Sequence, residues 1–194
     1  MGFKEIKTAK KKEDIIRSAA KIVSKKGYHG ATMEDIAAEL LMTKGALYYY
    51  FENKDDLVYH CHDLILSSAI KTLEDYLKSN ISSTDKFKKA VEVHVEFVIT
   101  EKETFNMIIK PQHTFTEKRL APILDKRQKY ANIFDEIIHQ GIDNGEFKIT
   151  EIKMARMMIL GALNWIQQWY LPEGKKSKKE IVDIYSDYLL KLLK

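Results

Sequence analysis

The stretch from Thr32 to Leu57, TMEDIAAELLMTKGALYYYFENKDDL, constrains the fold of this 194-residue chain more than any other. It predicts two short helices joined by a tight turn, followed by the start of a third helix. Thr32, Thr43 and Asn53 are favourable N-cap residues, because a side-chain oxygen accepts a hydrogen bond from an amide one turn into the helix. The apolar residues of the first helix recur at helical spacing and form one face: Met33, Ile36, Ala37 and Leu40.

The second helix, from Lys44 to about Tyr50, is short and unusual in composition. Leu47 and Phe51 are four residues apart and are expected to point inward. The exposed face then carries small residues and tyrosines, which suits close approach to DNA in a helix-turn-helix. The alternative, that the tyrosines fill a core, is disfavoured because consecutive helical residues cannot all face inward. The predicted DNA-binding residues are Thr32, Thr43, Lys44, Gly45, Ala46, Tyr48, Tyr49 and Lys54.

This stretch resembles the DNA-binding domain of the TetR family of bacterial repressors. The matching positions are Thr32, Ile36-Ala37, Thr43, Gly45, Leu47-Tyr48, Phe51, Lys54 and Leu57. One departure is the turn Leu40-Leu41-Met42, where the family usually has Ala-Gly-Val. A Gly there would serve a residue with positive φ, which is costly for Leu. Either the turn is strained, or Leu41 adopts a different turn geometry.

Composition favours an all-α protein, since only three prolines and eight glycines leave little room for many tight turns. The single Cys61 excludes an internal disulfide framework and fits a reducing cytoplasm. No apolar run approaches the roughly 20 residues that a membrane span needs, and the N-terminus does not resemble a signal peptide. We predict a DNA-binding helix-turn-helix domain over residues 1–55. A long helix from Asp55 to about Lys78 then leads into a ligand-binding and dimerisation domain over residues 56–194.

The first 30 residues carry nine Lys or Arg residues against three acidic ones. Residues 1–10 are expected to be a disordered basic arm that follows the DNA backbone or enters a minor groove, or else a solvated tail without a partner. A first helix is predicted from Glu13 to about Lys26, ending at Gly27.

The rest of the chain is predicted to be helical, with one irregular segment from Thr104 to Thr116 around Pro111. The predicted helices are Asp85–Glu101 capped by Thr84 and Glu117–Asn144 closed by Asn144-Gly145. A further helix is capped by Thr150 and runs to about Tyr170, and the last is capped by Ser177 and runs to Leu193.

The cluster His60-Cys61-His62 does not predict a metal site, because helical residues two apart point about 200° apart. No phosphate loop, nucleophile elbow or paired carboxylates indicate catalysis, and no cofactor is predicted. A helical enzyme or scaffold without DNA binding is the alternative to a DNA-binding regulator.

The last two predicted helices are apolar on more than one face, which favours cover from a second copy of the chain. The resemblance implies the same, since the TetR family dimerises through its last two helices. A dimer also suits a palindromic operator. The predicted interface residues are Ile166, Tyr170, Ile181, Tyr185, Tyr188, Leu189 and Leu192.

The middle helices have an interior rich in aromatic residues and methionine, which is either a structural core or an adaptable apolar pocket. The resemblance implies that this region holds the effector. His94 is either a core histidine with a partner or a group that hydrogen-bonds the ligand. The predicted ligand-binding residues are Ile65, His94, Phe97, Val98, Phe105, Arg119, Arg127, Tyr130, Phe134, Met158 and Trp165.

The sequence Gly161-Ala162-Leu163-Asn164-Trp165, followed by Trp169-Tyr170-Leu171-Pro172, resembles the branch of the family that controls fatty-acid or sterol degradation. That resemblance implies an acyl-CoA effector. Arg119 and Arg127 would then offer the fork geometry that phosphates prefer, unless they belong to a solvated helix face. We therefore expect a cytoplasmic, dimeric repressor that a small apolar effector releases from its operator.

Overall fold

The computed structural model describes residues 2–100, 115 and 117–194, and all regular secondary structure within these ranges is helical. The all-α prediction is therefore confirmed. The described residues form eight helices: α1 Phe3–Gly30, α2 Met33–Glu39, α3 Lys44–Tyr48, α4 Lys54–Lys78, α5 Ser83–Thr100, α6 Glu117–Asp143, α7 Ile152–Trp169 and α8 Lys178–Lys191.

Apart from Phe115, the segment predicted to be irregular, Thr104–Thr116, lies outside the described residues. None of the helices in the described ranges combines the length and the apolar character needed to cross a bilayer.

The described residues group into two compact units. The first comprises those within Met1–Ile65 and Glu103–Leu124, and the second those within Leu66–Lys102 and Asp125–Lys194. The first unit therefore contains the helix-turn-helix together with the start of α6. The predicted domain boundary between residues 55 and 56 falls within α4, ten residues before the end of the first unit's N-terminal segment.

Helix α1 begins at Phe3, so the prediction that residues 1–10 are disordered is wrong for the described residues of that stretch. Lysine, glutamate, alanine and isoleucine dominate this stretch, and these residues are compatible with a helix. The Glu5 carboxylate also accepts a hydrogen bond from the Gly2 amide at 2.8 Å. Gly27 interrupts the helix as predicted, with φ of 73°. One further helical turn follows it and ends at Gly30.

The predicted caps of the helix-turn-helix are confirmed. Thr32 Oγ1 accepts a hydrogen bond from the Asp35 amide at 3.1 Å, and the Asp35 carboxylate accepts one from the Thr32 amide at 3.0 Å. Thr43 Oγ1 accepts from the Ala46 amide at 3.2 Å, which starts α3. Asn53 Oδ1 accepts from the amide of residue 56 at 2.9 Å, which starts α4.

The core of the first unit explains why so short a helix as α3 is held in place. Leu47 and Phe51 are 0% and 1% exposed, as predicted from their spacing. Burial of each side chain contributes about 1.5–3 kcal/mol relative to an exposed position. The larger buried side chains around them come from α1, α2 and α4: Ile15, Ile16, Val23, Met33, Ile36, Leu57 and Val58.

Two helices of the second unit start differently from the sequence prediction. Thr84 does not cap α5; the hydroxyl of Ser82 accepts from the Asp85 amide instead, at 3.0 Å. The carboxylate of Glu146 also accepts from the Ser83 and Thr84 amides, at 2.8 and 2.9 Å. The Ser82 cap is local and was missed, whereas local sequence could not reveal the contribution of Glu146, which lies more than 60 residues away.

Three further helix ends of the second unit lie at or next to their predicted residues. Helix α7 begins at Ile152, and its N-cap is Glu151 rather than Thr150. The predicted cap at Ser177 is confirmed, because its hydroxyl accepts from the Glu180 amide at 3.2 Å. The predicted stop at Asn144-Gly145 is also confirmed, with φ of 73° at Gly145.

Leu41, in the turn between α2 and α3, has a φ of 53° and a side chain that is 96% exposed. The turn thus keeps a left-handed residue although its side chain is leucine. This conformation brings Cβ too close to the following carbonyl oxygen and costs roughly 1–2 kcal/mol in an L-residue. Of the two turn geometries that the sequence left open, the structure therefore shows the strained one.

We predict that Leu41→Gly raises the free energy of unfolding by about 0.5–1 kcal/mol. The relieved strain exceeds the added flexibility of glycine in the unfolded chain. Urea unfolding followed by circular dichroism measures the change. Leu41→Ala is the matched control, because it removes the exposed side chain but keeps the strained Cβ, and it should show no such gain. Equal stabilisation by both variants would contradict the prediction.

Candidate functional site

The surface of α3 carries the small and aromatic residues that the sequence placed there. Gly45 is exposed, and a Cβ built on it would meet no other atom within 4 Å. Tyr48 and Tyr49 are 43% and 79% exposed, whereas Ala46 is half-buried. The two N-cap residues Thr32 and Thr43 are exposed beside them. The helix therefore presents a backbone that another surface can approach closely, flanked by two phenolic rings.

Two lysines of the predicted DNA-binding set have partners in this structure. The Lys44 ammonium pairs with the Glu34 carboxylate of α2, and both side chains are more than half exposed. Exposed pairs of this kind add little stability, so Lys44 can exchange its carboxylate for a phosphate. Lys54 Nζ donates to the carbonyl oxygens of Tyr28 and Ala31, at 2.7 and 3.1 Å. An ammonium has three donors, so one N–H of Lys54 is not used by these two bonds.

A group of charged side chains joins α1, α4 and the start of α6 within the first unit. Arg119 Nη1 donates to Asp56 Oδ1 at 3.0 Å, and its guanidinium lies 5.5 Å from the centroid of the Tyr59 ring. His60 Nε2 is 3.7 Å from the same carboxylate and 3.3 Å from Lys12 Nζ. Burial, and then the Lys12 ammonium, lower the pKa of His60 against the opposing effect of Asp56.

The side chains of His60, Cys61 and His62 diverge. The thiol of Cys61 is fully buried, donates to the Ile16 carbonyl oxygen at 3.3 Å, and has its pKa raised by burial to about 12. The His62 ring is buried and packs edge-on against Phe115, with 4.8 Å between ring centroids. Among the described residues, no three His, Cys, Asp or Glu side chains are grouped so that they could hold a metal ion.

In the second unit, His94 lies at the centre of a buried polar cluster. Its Nδ1 is 2.9 Å from the Tyr130 hydroxyl, and its Nε2 is 3.1 Å from Asn164 Oδ1. The rings of Tyr130 and Phe134 pack beside it. Burial lowers the pKa of His94 to about 4, although the hydrogen bond with Asn164 opposes this shift, and burial raises the pKa of Tyr130. Both groups are therefore neutral near pH 7.

The other predicted ligand-binding residues are divided between the two units. Val98 is buried and Phe97 half-buried on α5, while Phe105 lies outside the described residues. Ile65, 9% exposed, is the last residue of the first unit's N-terminal segment. Arg119 belongs to the first unit, as described above.

Arg127 lies in the second unit and is half-buried. Burial lowers the pKa of its guanidinium. No carboxylate of the described chain forms an ion pair with it. This cation is thus partly removed from water without an anion from the part of the chain that the structure describes.

Helix α7 has one buried face and one exposed apolar face. The residues of the exposed face recur at spacings of three and four, and their exposed fractions are between 42% and 65%: Met154, Met157, Met158, Trp165 and Trp169. Met158 and Trp165, which were predicted to line an effector pocket, lie on this exposed face. The sequence predicted apolar residues on more than one face of α7 but could not say which face is covered within the chain.

The predicted interface residues divide in the same way. Tyr188 and Leu192 are 64% and 40% exposed, and Tyr170 and Tyr185 are half-buried. The Tyr185 ring stacks on Trp169, with 6.3 Å between centroids. The remaining three lie in the core of their own chain, because they face the buried side of α7 and α8: Ile166, Ile181 and Leu189.

A capped helix-turn-helix with an exposed second helix, in a chain whose second unit is also helical in its described part, is typical of a DNA-binding transcriptional regulator. Comparison with known families agrees. Residues 15–61 match the bacterial regulatory proteins of the tetR family, and residues 80–193 match the tetracyclin repressor-like C-terminal domain. The chain belongs to the tetR family.

Two curated relatives illustrate the similarity. The fatty acid metabolism regulator protein of Bacillus subtilis is 26% identical over 170 residues, which cover 83% of this chain and 84% of the relative. The negative regulator of the icaADBC biofilm operon in Staphylococcus aureus, IcaR, is 25% identical over 173 residues, which cover 86% of each chain.

Solved structures share the fold. The Bacillus subtilis regulator FadR in complex with stearoyl-CoA has a TM-score of 0.75 at 23% identity, covering 93% of this chain and 98% of its own. AibR in complex with isovaleryl coenzyme A and operator DNA has a TM-score of 0.82 at 22% identity, covering 92% and 97%.

We predict that Gly45→Leu abolishes operator binding without unfolding the protein. A Cβ at this position meets only open space within the chain, yet a leucine side chain would separate the α3 backbone from DNA. A mobility-shift assay and a thermal melt measure the two effects. Lys71→Leu, on the exposed surface of the second unit, is the control that should bind normally. Normal binding by Gly45→Leu would show that α3 does not enter the groove.

Proposed function

We propose that this protein is a homodimeric transcriptional repressor that leaves a palindromic operator when it binds an acyl-CoA thioester. The observation that carries the DNA-binding part is the exposed, capped helix α3. The buried side chains of Leu47 and Phe51 anchor it to the core of the first unit. The first test is a mobility shift with the DNA upstream of the protein's own gene. A helical enzyme or scaffold would leave that DNA unshifted.

The exposed face of α7 supports the dimer. It carries three methionines and two tryptophans, and Tyr188 and Leu192 add exposed apolar surface on α8. A monomer would leave this surface in water, whereas a two-fold arrangement buries the same patch on both copies. We therefore assign Met158 and Trp165 to this dimer face. A dimer also brings two recognition helices to DNA, which is what a palindromic operator requires.

Two lines of support favour an acyl-CoA effector. FadR of Bacillus subtilis, similar to this chain in sequence and fold, has been solved with stearoyl-CoA, and AibR with isovaleryl coenzyme A. In this chain, Arg127 supplies a half-buried guanidinium, and guanidinium groups bind phosphate through two parallel hydrogen bonds. The aromatic interior around His94 offers apolar surface to an acyl chain.

Release from the operator would follow from a preference of the effector for one conformation of the dimer. A ligand shifts such an equilibrium only as far as its affinities for the two conformations differ. Helices α4 and α6 each contribute residues to both units, so they are the elements through which such a preference would act. A repressor of this kind would act in the cytoplasm, where its operator is.

We predict that Tyr188→Glu and Trp165→Glu disrupt the dimer and lower operator affinity together. Each would place a charge in a surface that dimerisation removes from water, at a cost of several kcal/mol. Analytical ultracentrifugation measures the oligomeric state. Ile81→Glu is the matched control, since Ile81 is 41% exposed and lies outside α7 and α8. A stable dimer in both test variants would move the interface elsewhere. Leu189→Glu is unsuitable, because Leu189 is buried in its own chain.

We predict that Arg127→Ala keeps operator binding but raises the long-chain acyl-CoA concentration needed for release by about 10-fold or more. This is the scale expected for one charge-assisted hydrogen-bonded contact of about 1.5–3 kcal/mol. Fluorescence anisotropy of labelled operator during an acyl-CoA titration measures it. Lys129→Ala is the control, because Lys129 is exposed and pairs with Glu74. Arg119 is left unchanged, because its guanidinium pairs with Asp56.

The free fatty acid should release both proteins poorly, since it lacks the phosphates. If the wild-type protein stays on its operator in acyl-CoA, the effector is instead a neutral apolar molecule. If Arg127→Ala responds as the wild type does, Arg127 is not the phosphate contact.

A further inference from the structure

The start of α1 is an extension that the core of the first unit does not require. Buried residues of α1 begin at Ile15, whereas Phe3 and Ile6 are 85% and 53% exposed. At about 1.5 Å per residue, the twelve residues from Phe3 to Asp14 add roughly 18 Å of helix before the core begins. We call residues Phe3–Lys11 the helical extension.

The helical extension forms one wall of a groove beside the helix-turn-helix. The groove has a volume of about 710 Å³ and is lined by Lys7, Thr8, Lys10, Lys11, Asp14 and Tyr50. Tyr50 lies two residues after the end of α3, and its ring packs edge-on against that of Tyr49, with 5.1 Å between centroids. The lysines of the extension are therefore placed next to the recognition helix.

The charge of this groove is not neutralised by the described residues. Arg17 pairs with Glu13 and Lys26 with Asp35, but Lys7, Lys10 and Lys11 have no carboxylate within ion-pair distance in the described part of the chain. Asp14 is the one acidic residue among those lining the groove. Three ammonium groups without a carboxylate partner therefore lie beside the proposed recognition helix. They can bind the backbone phosphates that flank an operator half-site, the stretch of bases that one α3 would contact.

We propose that the helical extension is a second DNA contact, in which Lys7, Lys10 and Lys11 bind backbone phosphates flanking each half-site. This inference rests on the proposed function, because it needs α3 to lie in the groove of an operator. The inference adds that the affinity for the operator depends on DNA on either side of the bases that α3 contacts. A basic helix with exposed Phe3 and Ile6 could also suit an anionic membrane surface. The position of Tyr50 in the groove wall favours DNA.

The test compares the wild type with the triple variant Lys7→Gln, Lys10→Gln, Lys11→Gln. The matched control is a second triple variant, Lys71→Gln, Lys88→Gln, Lys175→Gln. It removes the same charge from exposed positions of the second unit. Circular dichroism and thermal melts establish that all three proteins are folded. Operator affinity is measured against salt concentration on a long duplex and on a duplex that ends at the outer edges of the half-sites.

We expect the slope of log affinity against log salt to become shallower by about 3–5 in the test variant, as for three to six lost phosphate contacts per dimer. Shortening the duplex should weaken the wild type and the control but leave the test variant unchanged. An unaltered slope and an equal response to shortening would overturn the inference while leaving operator binding by the wild type intact.

Two further results would also overturn it. If the test variant binds DNA like the wild type but no longer sediments with vesicles of phosphatidylglycerol, the extension is a membrane contact. If the wild type fails to bind the DNA upstream of its gene, the proposed function fails and this inference fails with it.

Discussion

Burial of Leu47 and Phe51 is the interaction on which the helix-turn-helix depends. A helix of five residues is far too short to form alone in water, because nucleation costs more than its few hydrogen bonds return. Both side chains are almost completely covered by apolar residues of the first unit. This packing on one side leaves the opposite side of α3 available for Gly45, Tyr48 and Tyr49. The surface that we propose as the DNA contact therefore exists because the other face of the same helix is buried.

Many features that arise within a few residues of one another could be predicted from the sequence, although the local caps at Ser82 and Glu151 were missed. The caps at Thr32, Thr43, Asn53 and Ser177 are of this kind, since donor and acceptor lie three residues apart. The start of α1 was missed, since residues 1–10 were predicted to be disordered although the same residues are tolerated in a helix. At Leu41 the sequence left two geometries open, and the structure shows the left-handed one.

Features that depend on distant residues could not be predicted. Glu146 caps α5 from beyond the end of α6, and Arg119 pairs with an aspartate 63 positions earlier. Periodicity also could not tell the covered face of α7 from its exposed face, because both carry apolar residues. Met158 and Trp165 were consequently placed in the interior. Sequence spacing also did not reveal that Arg127 is half-buried with no described carboxylate in ion-pair distance.

The composition of the first unit bears on the order in which the chain folds during synthesis. Phe115 and Ile123 belong to the same apolar cluster as Ile15, Leu47 and Val58, and the Arg119 guanidinium covers the Tyr59 ring. A nascent chain that has emerged only to the end of α4 lacks these contacts, so part of its apolar surface is open to water. The DNA-binding unit is thus completed only when about 124 residues have left the ribosome. Until then, its surface is one that a chaperone would recognise.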